Sequence, residues 1–393
     1  MNADADVTRP HAGIGALEQF LRAHFPKLHE LARSATKVPS FRYCYHRRPD
    51  SLAPIAAFSK GIDADDAQLI DRAVASYVRR AELPSGQWAD IFLDRHSDIH
   101  DAIVRNDRPR IEEILRKPVS SDLMFGFDSM ARSLRRVHRI EDAHAPAMTL
   151  DALICLAEAI GARRIENPEN YTWRTARTTT DEVVSQIEQA FQFQLPVPNP
   201  FPDEYGLVSR RGIMSYRVPQ AIYQAWRVSQ LVRGVSNPKV LEIGGGLGRT
   251  ALYARHFGVS DYTIIDIPVS SLAQGYFLGR VVGDNAVQLH GEAPVGESAN
   301  RIKILSPQSF LEGSERYDLV LNADSLTEIG QAAANEYWSA IRQRAKVLLS
   351  INHEANDVTV ARLIKESTGV AHASRVPHWM RRGYAEEVVT FAH

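Results

Sequence analysis

The sequence has 393 residues, of which 46 are Lys or Arg, 47 are Asp or Glu and 44% are hydrophobic. This length is enough for two domains that each bury a core. The balanced charge gives no general attraction to nucleic acid or to anionic membranes, and no run of about 18 apolar residues that would span a bilayer occurs. The start has no apolar signal-like segment, and Cys44 and Cys155 lie too far apart for a metal or disulfide framework. We expect a cytoplasmic protein with reduced cysteines and with neither a nucleic-acid nor a membrane partner.

The first half of the chain shows mainly helical periodicity. Apolar residues recur at helical spacing over residues 14–34, 63–78, 88–106, 110–117, 129 to the 140s, 149–160 and 181–193. Asp181 stands where a helix cap is expected, and Val78 belongs to an expected buried stripe. A proline-rich segment, 196–202, then interrupts regular structure. We predict a mostly α-helical N-terminal domain over residues 1–205, with a lid, substrate-binding or dimerisation role, and a second domain over residues 206–393.

Beyond residue 206, short apolar runs alternate with helical stretches, which favours an α/β fold with a parallel sheet and right-handed crossovers. The predicted strands are 239–243, 262–265, 301–305, 317–322, 346–352, 373–377 and 384–391. For the third strand, 286–290 is an alternative to 301–305, which we prefer. The last two runs predict a closing antiparallel hairpin at the edge of the sheet.

The most informative segment is residues 239–266, KVLEIGGGLGRTALYARHFGVSDYTIID. It reads as a buried strand, a glycine turn, a helix and a second strand that ends at Asp266. Glycines let a backbone approach a ligand closely, and a helix N-terminus offers free N–H groups. An acid after the second strand can bind a ribose diol. The segment predicts a nucleoside-cofactor site formed by Gly244, Gly245, Gly246, Gly248, Asp266 and Ile267.

The same segment distinguishes between two cofactors. A dinucleotide fingerprint needs a glycine at its sixth position, where this chain has Arg249. Glu242 precedes the glycines inside the strand, and a carboxylate there suits the ammonium group of S-adenosylmethionine. We therefore predict S-adenosyl-L-methionine, converted to S-adenosyl-L-homocysteine, rather than NAD. A glycine-rich turn without a ligand is the alternative.

Seven segments of the chain resemble class I S-adenosylmethionine-dependent methyltransferases, and within them a bacterial family of sugar O-methyltransferases. The segments are RGIMSYR (211–217), VLEIGGGLGRTALYA (240–254), YTIIDIP (262–268), LAQGYFLG (272–279), NADSLTEI (322–329), SINHEAN (350–356) and HWMRRGYAEEV (378–388). The resemblance covers about the last 180 residues. It implies a Rossmann-like, seven-stranded methyltransferase sheet with an antiparallel C-terminal strand. It also implies small-molecule methylation in biosynthesis.

Polar residues follow the predicted fourth and fifth strands, at the sheet edge where α/β proteins bind ligands. They are Asn322, Asp324, Ser325 and Glu328 after the fourth strand, and His353 and Glu354 after the fifth. A hydroxyl acceptor must lose its proton during methyl transfer, and histidine suits that task near neutral pH. We predict His353 as general base, with Asp324, Glu354 or Glu328 holding its ring or the substrate.

Other interpretations of the same residues stay open. Asp324, Glu328 and Glu354 can clamp an amine or guanidinium for N-methylation. Two of them can instead hold a divalent cation, although no D-x-D or H-x-x-H spacing supports a metal. A catalytically inactive, methyltransferase-like binding subunit is an alternative of another class. Nucleic-acid methylation is disfavoured, because no N/D-P-P-Y/F motif follows the fourth strand.

Aromatic and polar residues near the predicted core are expected at the mouth of the site. Arg217 is predicted to reach the cofactor carboxylate, and Asn322 to contact the cofactor. The residues assigned to the substrate are Tyr216, Ser325, Trp379 and Tyr384. Gln274 and Tyr276 are weaker candidates for the adenine. The expected partner is a small molecule, with a homodimer through the N-terminal helical domain as one option.

Overall fold

The computed structural model describes residues 55–79, 87–125, 141–165, 178–293 and 300–392. Its N-terminal part is largely helical, as predicted. In chain order the elements are β1 (Ala56–Lys60), α1 (Ala67–Val78), α2 (Gln87–Ile91), a π-helical turn (Phe92–His96), α3 (Ser97–Val104), α4 (Arg108–Arg116), α5 (Glu141–Ala159), α6 (Thr180–Phe191), β2 (Pro202–Ser209) and β3 (Gly212–Met214).

The C-terminal part alternates strands and helices. Its elements are α7 (Arg217–Leu231), β4 (Lys239–Ile243), α8 (Arg249–His256), β5 (Asp261–Ile265), α9 (Pro268–Val282), a 3₁₀ turn (Asp284–Ala286), β6 (Val287–Leu289), β7 (Ile302–Leu305), α10 (Pro307–Leu311), β8 (Tyr317–Ala323), α11 (Gln331–Arg344), β9 (Ala345–His353), α12 (Val360–Lys365), β10 (Val370–Pro377) and β11 (Tyr384–Phe391).

These strands form one eight-stranded sheet in the order β10-β11-β9-β8-β4-β5-β7-β6. The six neighbouring strands β9, β8, β4, β5, β7 and β6 pair in parallel. Strand β11 runs antiparallel to β9 and forms a hairpin with β10. The predicted parallel sheet with an antiparallel C-terminal strand is confirmed, although it has eight strands rather than the seven expected. The preferred third strand, 301–305, pairs with β5, and the alternative run forms an additional edge strand, β6.

Helices cover both faces of this sheet. Alternate residues of β4 belong to different clusters, since Val240 packs with α7, α8 and α9, and Leu241 packs with α10, α11 and α12. Successive side chains of a strand point to opposite faces, so the sheet is the middle layer of three. The cluster around Val240 also contains the buried residues of α1, α3, α4, α5 and α6. The N-terminal helices therefore share a core with one face of the sheet.

A second, three-stranded antiparallel sheet was not predicted. Its order is β1-β2-β3, with Ala56 opposite Leu207 and a tight β2–β3 hairpin. β1 is only five residues long, and its partner lies about 150 residues later in the chain, so local periodicity does not reveal the pairing. The sheet joins chain from both sides of residue 205, and the two-domain division stays a prediction.

Several helix predictions need correction. Residues 88–106 are divided by the π-helical turn, and α5 already includes Glu141 rather than beginning at residue 149. The cap of α6 is Thr179, whose side chain forms a reciprocal capping box with Glu182. Asp181 lies inside the first turn instead. Val78 is 60% exposed, because it ends α1 beyond the buried face.

Some predictions fall on residues that the structure does not describe. The predicted helix at 14–34, the beginning of the one at 129 and Cys44 all lie outside the described residues. Cys155 is a buried free thiol. Among the described helices, none combines the length and apolar character needed to cross a bilayer.

Candidate functional site

The glycine turn after β4 has a backbone conformation that residues with a side chain rarely adopt. Gly244, Gly246 and Gly248 have φ angles of 73°, 56° and 81°, in the left-handed region that favours glycine. A Cβ atom at Gly244 would collide with the Ser325 hydroxyl, and one at Gly248 would lie 2.7 Å from Leu278 Cδ1. The expected reason for these glycines was close approach of a ligand. The structure adds a second reason, because packing within the protein already excludes a side chain at Gly244 and Gly248, and the close approach of a ligand stays a prediction.

The turn forms one wall of a cavity at the carboxyl edge of the sheet. Of the predicted site residues, those that line it are Arg217, Glu242, Gly244, Gly245, Gly246, Asp266, Ile267, Asp324, Ser325, Glu328 and Tyr384. Those that do not are Tyr216, Gly248, Asn322, His353, Glu354 and Trp379. The strand ends thus bring together most residues expected at the glycine turn, but only part of the expected acceptor site.

The carboxylate of Asp266 is fixed to the glycine turn through Gln274. Gln274 Nε2 donates to Asp266 Oδ2 at 2.7 Å and to the Gly246 carbonyl at 2.9 Å. Asp266 Oδ1 accepts from the Ile267 N–H at 2.8 Å. Gln274 is fully buried and does not line the cavity, so it supports the site from behind rather than facing an adenine. Tyr276, the other weak candidate, instead binds Asp66 through its hydroxyl.

Glu242 lies beneath the glycine turn and is only 2% exposed. The Tyr262 hydroxyl donates to its Oε2 at 3.0 Å. Burial raises the pKa of Glu242 to about 7, because the charged form loses its hydration. Its protonation near neutral pH is therefore sensitive to any charge placed in the cavity.

Asp324 begins the loop after β8 in a strained conformation, with φ at 69°. Its Oδ2 accepts from Arg217 Nη1 at 3.0 Å and from Arg381 Nη1 at 2.6 Å. Burial alone would raise the pKa of Asp324, but the Arg381 and Arg217 guanidinium groups outweigh it and lower the pKa to about 2. The Arg381 guanidinium also stacks on Tyr384, 3.6 Å from the ring centroid. Asp324 is thus an ionised carboxylate held by two arginines.

His353 lies behind two cavity residues rather than in the wall. Its Nε2 is 3.9 Å from Glu328 Oε1, and its ring packs edge-on against Tyr384 with centroids 5.4 Å apart. Its Nδ1 accepts from the Ala355 N–H at 3.2 Å. In the neutral ring the proton therefore sits on Nε2, on the side of Glu328. Glu328, not Asp324 or Glu354, is the carboxylate beside this histidine.

Glu354 does not face the cavity as expected. Its carboxylate accepts from Arg375 Nη2 at 2.5 Å, and Arg375 also donates to Glu387 at 2.6 Å. This ion pair lies on the outer strands of the sheet. The prediction that four ionisable groups face one crevice is therefore wrong for Glu354.

Asn322 supports the strand ends and does not reach the cavity. It is fully buried, and its Nδ2 donates to the Ile243 carbonyl at 3.1 Å and to Ser325 Oγ at 2.6 Å. The Oδ1 of Asn322 accepts from Asn352 Nδ2 at 2.9 Å. This chain of hydrogen bonds ties β4, β8 and β9 together just below Ser325, which corrects the expected contact between Asn322 and the cofactor.

Some residues of the cavity wall were not predicted. Three of them, Gln220, Ala221 and Gln224, share one face of α7 with the predicted Arg217, at the helical spacing i, i+3, i+4 and i+7. Thr250 donates from its hydroxyl to Gln224 at 2.8 Å. Arg381 was missed because the sequence of a hairpin loop does not show which of two neighbouring arginines turns inward. The α7 stripe, in contrast, was visible in the spacing.

The predicted rim residues Tyr216 and Trp379 lie outside the lining. Arg217 places its guanidinium 5.0 Å from the Tyr216 ring centroid, and Trp379 packs at the margin of the hydrophobic core. Within the described ranges, no group of three or more His, Cys, Asp or Glu side chains is arranged to hold a metal ion.

Comparison with known proteins gives only remote similarity. No protein-family model matches the chain, and no curated protein matches it significantly. Solved structures that resemble it include a provisionally assigned RNA methyltransferase from Pyrococcus horikoshii, with 14% identity, TM-score 0.32, and coverage of 44% of this chain and 85% of that one. A glycopeptide N-methyltransferase in complex with S-adenosyl-L-homocysteine has 15% identity and a TM-score of 0.32, with coverage of 43% of this chain and 89% of that one. The methyltransferase domain of a bacterial Hen1 has 13% identity and a TM-score of 0.32, with coverage of 44% of this chain and 100% of that one. At such scores the likeness does not bear on the function of this chain.

Proposed function

We propose that the chain is an S-adenosylmethionine-dependent methyltransferase that methylates a hydroxyl group of a small, sugar-like acceptor. The observation that carries the proposal is the coupling of Asp266 to the glycine turn by Gln274. This arrangement fixes a carboxylate beside the glycine turn, where an acid after the second strand can bind a nucleoside ribose. The sheet order and the closing hairpin agree with it.

The residues present fit the proposed cofactor. Asp266 would bind the ribose diol, the Gly244–Gly246 backbone would pass beneath the amino-acid portion, and Glu242 would face the ammonium group. The bound cofactor supplies an electrophilic sulfonium methyl group. The protein's task is then mainly to orient the acceptor, which is worth several kcal/mol through effective concentration.

For proton removal, the geometry favours Glu328 over His353. Glu328 lines the cavity, whereas the Nδ1 lone pair of His353 is occupied by the Ala355 N–H. As the acceptor oxygen takes the methyl group, its proton passes to the Glu328 carboxylate. His353 Nε2 lies 3.9 Å from Glu328 Oε1, and in our proposal a small movement of the ring closes this gap, so that its N–H orients the carboxylate. The predicted general base thereby becomes a positioning residue in our proposal.

Two substitutions separate these roles. Glu328→Gln should lower turnover by about 100-fold or more, because a general base contributes roughly that much. His353→Gln, which keeps a donor, should retain more turnover than His353→Ala. Full activity of Glu328→Gln together with inactive His353→Gln would restore His353 as the base.

The acceptor class is tested by a substrate screen divided between polyols and amines. The N-methylation alternative needs carboxylates open to a cation, but Asp324 and Glu354 are each paired with arginine. We therefore expect methylated polyols and no methylated amines. Turnover that survives a chelator would agree with a metal-free reaction, and the absence of a salt-dependent affinity for RNA or DNA would agree with the absence of a nucleic-acid acceptor.

Cofactor binding is tested by calorimetry with S-adenosyl-L-homocysteine. Asp266→Asn should bind it at least 10-fold more weakly, since a carboxylate accepts both ribose hydroxyls and an amide accepts less well. Asp357→Asn, at an exposed acid outside the cavity lining, is the matched control and should bind normally. If the wild-type chain bound neither cofactor nor product, the inactive binding-subunit alternative would replace this proposal.

A further inference from the structure

Arg217, Asp324, Arg381 and Tyr384 form a cluster that no expected role explains as a whole. All four line the cavity, opposite the Asp266 side of the glycine turn. They come from three separate elements, namely α7, the loop after β8 and the closing hairpin. We call this set the arginine cluster.

The arginine cluster carries more positive than negative charge. Two guanidinium groups face the single carboxylate of Asp324, and both use one nitrogen on the same oxygen, Oδ2. A guanidinium has five N–H donors in a planar fork. Arg217 Nη1 also lies 3.3 Å from Gln220 Oε1, and Arg381 Nη2 donates to the Tyr384 hydroxyl. Arg381 thus uses one N–H of each terminal nitrogen within the protein and keeps further donors for a ligand, and the two arginines and Asp324 together have a net charge of about +1 at neutral pH.

The cluster is also preorganised. Stacking on the Tyr384 ring, 3.6 Å from its centroid, restricts the orientation of Arg381. Asp324 holds both arginines from a left-handed backbone position, with φ at 69°. Such strained conformations are concentrated at ligand-binding and active sites. The side chains are only partly covered, with 23%, 20% and 18% exposure for Arg217, Asp324 and Arg381.

We infer that the arginine cluster binds a carboxylate of a ligand in the cavity. Guanidinium forks recognise carboxylates through paired N–H···O bonds, and Asp324 keeps the two forks together against their mutual repulsion. The inference rests on the proposed function for the identity of the ligand. The carboxylate has two sources, the amino-acid end of the cofactor or an acidic group on the acceptor. In either case a cationic acceptor does not suit this end of the cavity.

Titrations of the full-length chain distinguish the two sources. The ligands are S-adenosyl-L-homocysteine and 5′-methylthioadenosine, which has the same nucleoside thioether but no amino-acid group. If the cofactor supplies the carboxylate, Arg381→Gln binds S-adenosyl-L-homocysteine at least 10-fold more weakly and binds 5′-methylthioadenosine within twofold of wild type. Arg381→Lys keeps the charge but loses the planar fork of donors, so its affinity for S-adenosyl-L-homocysteine should lie between those of the wild type and Arg381→Gln.

If the acceptor supplies the carboxylate, neither of those affinities changes in Arg381→Gln. Glucuronate, titrated with and without S-adenosyl-L-homocysteine, then binds the wild-type chain at least 10-fold more tightly than it binds Arg381→Gln. Glucose serves as the uncharged comparison and should show no such difference. Arg382→Gln changes the exposed neighbouring arginine, which is not part of the cavity lining, and should behave as wild type in every titration.

Two results would overturn the inference. One is an equal loss of both nucleoside ligands in Arg381→Gln, which would make the cluster a structural clamp on the hairpin. The other is unchanged nucleoside binding together with no charge-dependent binding of glucuronate. A wild-type chain that bound neither nucleoside but still bound glucuronate through Arg381 would refute the proposed function and leave the carboxylate site standing.

Discussion

At the scale of single residues, Glu242 links the chemistry of the cavity to the stability of the chain. It is almost fully buried beneath the glycine turn, and the Tyr262 hydroxyl donates to it. Burial raises its pKa from 4.5 to about 7, so the folded chain retains a proton that the unfolded chain releases at lower pH. The contribution of this group to stability is therefore complete below about pH 4.5 and is lost as pH rises through 7.

The predicted loss of stability with rising pH can be tested with Glu242→Gln, because the glutamine side chain does not titrate. We expect the free energy of unfolding of the wild type, relative to Glu242→Gln, to decrease from pH 5 to about pH 7 and to level off above it. Urea denaturation at several pH values measures that difference. A difference that stays constant over this range would show that Glu242 has an ordinary pKa.

Individual side chains also show the limit of inference from sequence. Asp266 and Glu242 were found because strand, turn and acid are adjacent in the chain, and both line the cavity. Arg381 reaches Asp324 from 57 positions away, and Glu354, just after β9, pairs with Arg375 of β10 across the intervening strand β11. Both contacts depend on the packing of the hairpin, which no local pattern specifies.

At the scale of elements, the strand–turn–helix unit from β4 to α8 depends on the glycine that caps the helix. Gly248 has a φ of 81°, and a Cβ there would lie 2.7 Å from Leu278 Cδ1. Gly258, after the same helix, has nearly the same φ of 82°, but a Cβ at that position would have no heavy atom within 4 Å. The two positions share the backbone cost of a side chain and differ in the space available for it.

We therefore expect Gly248→Ala to be more destabilising than Gly258→Ala. Both lose roughly 1 kcal/mol because of the left-handed backbone, and overpacking against α9 adds about 1–3 kcal/mol at Gly248 alone. Thermal and urea unfolding of the two variants gives the comparison. Equal losses at both positions would mean that Leu278 moves aside and that packing does not require this glycine.

The helices and strands were easier to predict than the pairing of strands that lie far apart in the sequence. Alternating strands and helices indicated the parallel sheet, and the two final strands indicated the closing hairpin, because both are periodic over short stretches. The spacing of Thr179 and Glu182, three residues apart, is that of a capping box, whereas our prediction placed the cap at Asp181. The β1–β2 pairing was not accessible, because its two strands are short and far apart in sequence.

At the scale of the whole molecule, the N-terminal helices are joined to the large sheet by a buried charge cluster as well as by apolar packing. Asp66, before α1, is 4% exposed, accepts from Arg116 of α4 at 2.7 Å and binds the Tyr276 hydroxyl of α9. Arg280 Nη1 lies 3.6 Å from the same carboxylate and is itself 6% exposed. Leu69 of α1 packs directly against Gly279 of α9.

Because the core is continuous across these helices, we expect the described parts of the chain to unfold in one cooperative transition rather than as two domains. Asp66→Asn should weaken that transition by about 3–5 kcal/mol, since it leaves the buried guanidinium of Arg280 without a countercharge. Asp71 lies on α1, the helix that follows Asp66, and is an exposed partner of Arg108 of α4. Asp71→Asn should therefore lower the free energy of unfolding by less than about 1 kcal/mol. Fluorescence and circular dichroism during urea unfolding measure both effects. If Asp66→Asn separated the two signals into distinct transitions, the N-terminal helices would be an independent domain, and Asp66 would join two units that fold separately.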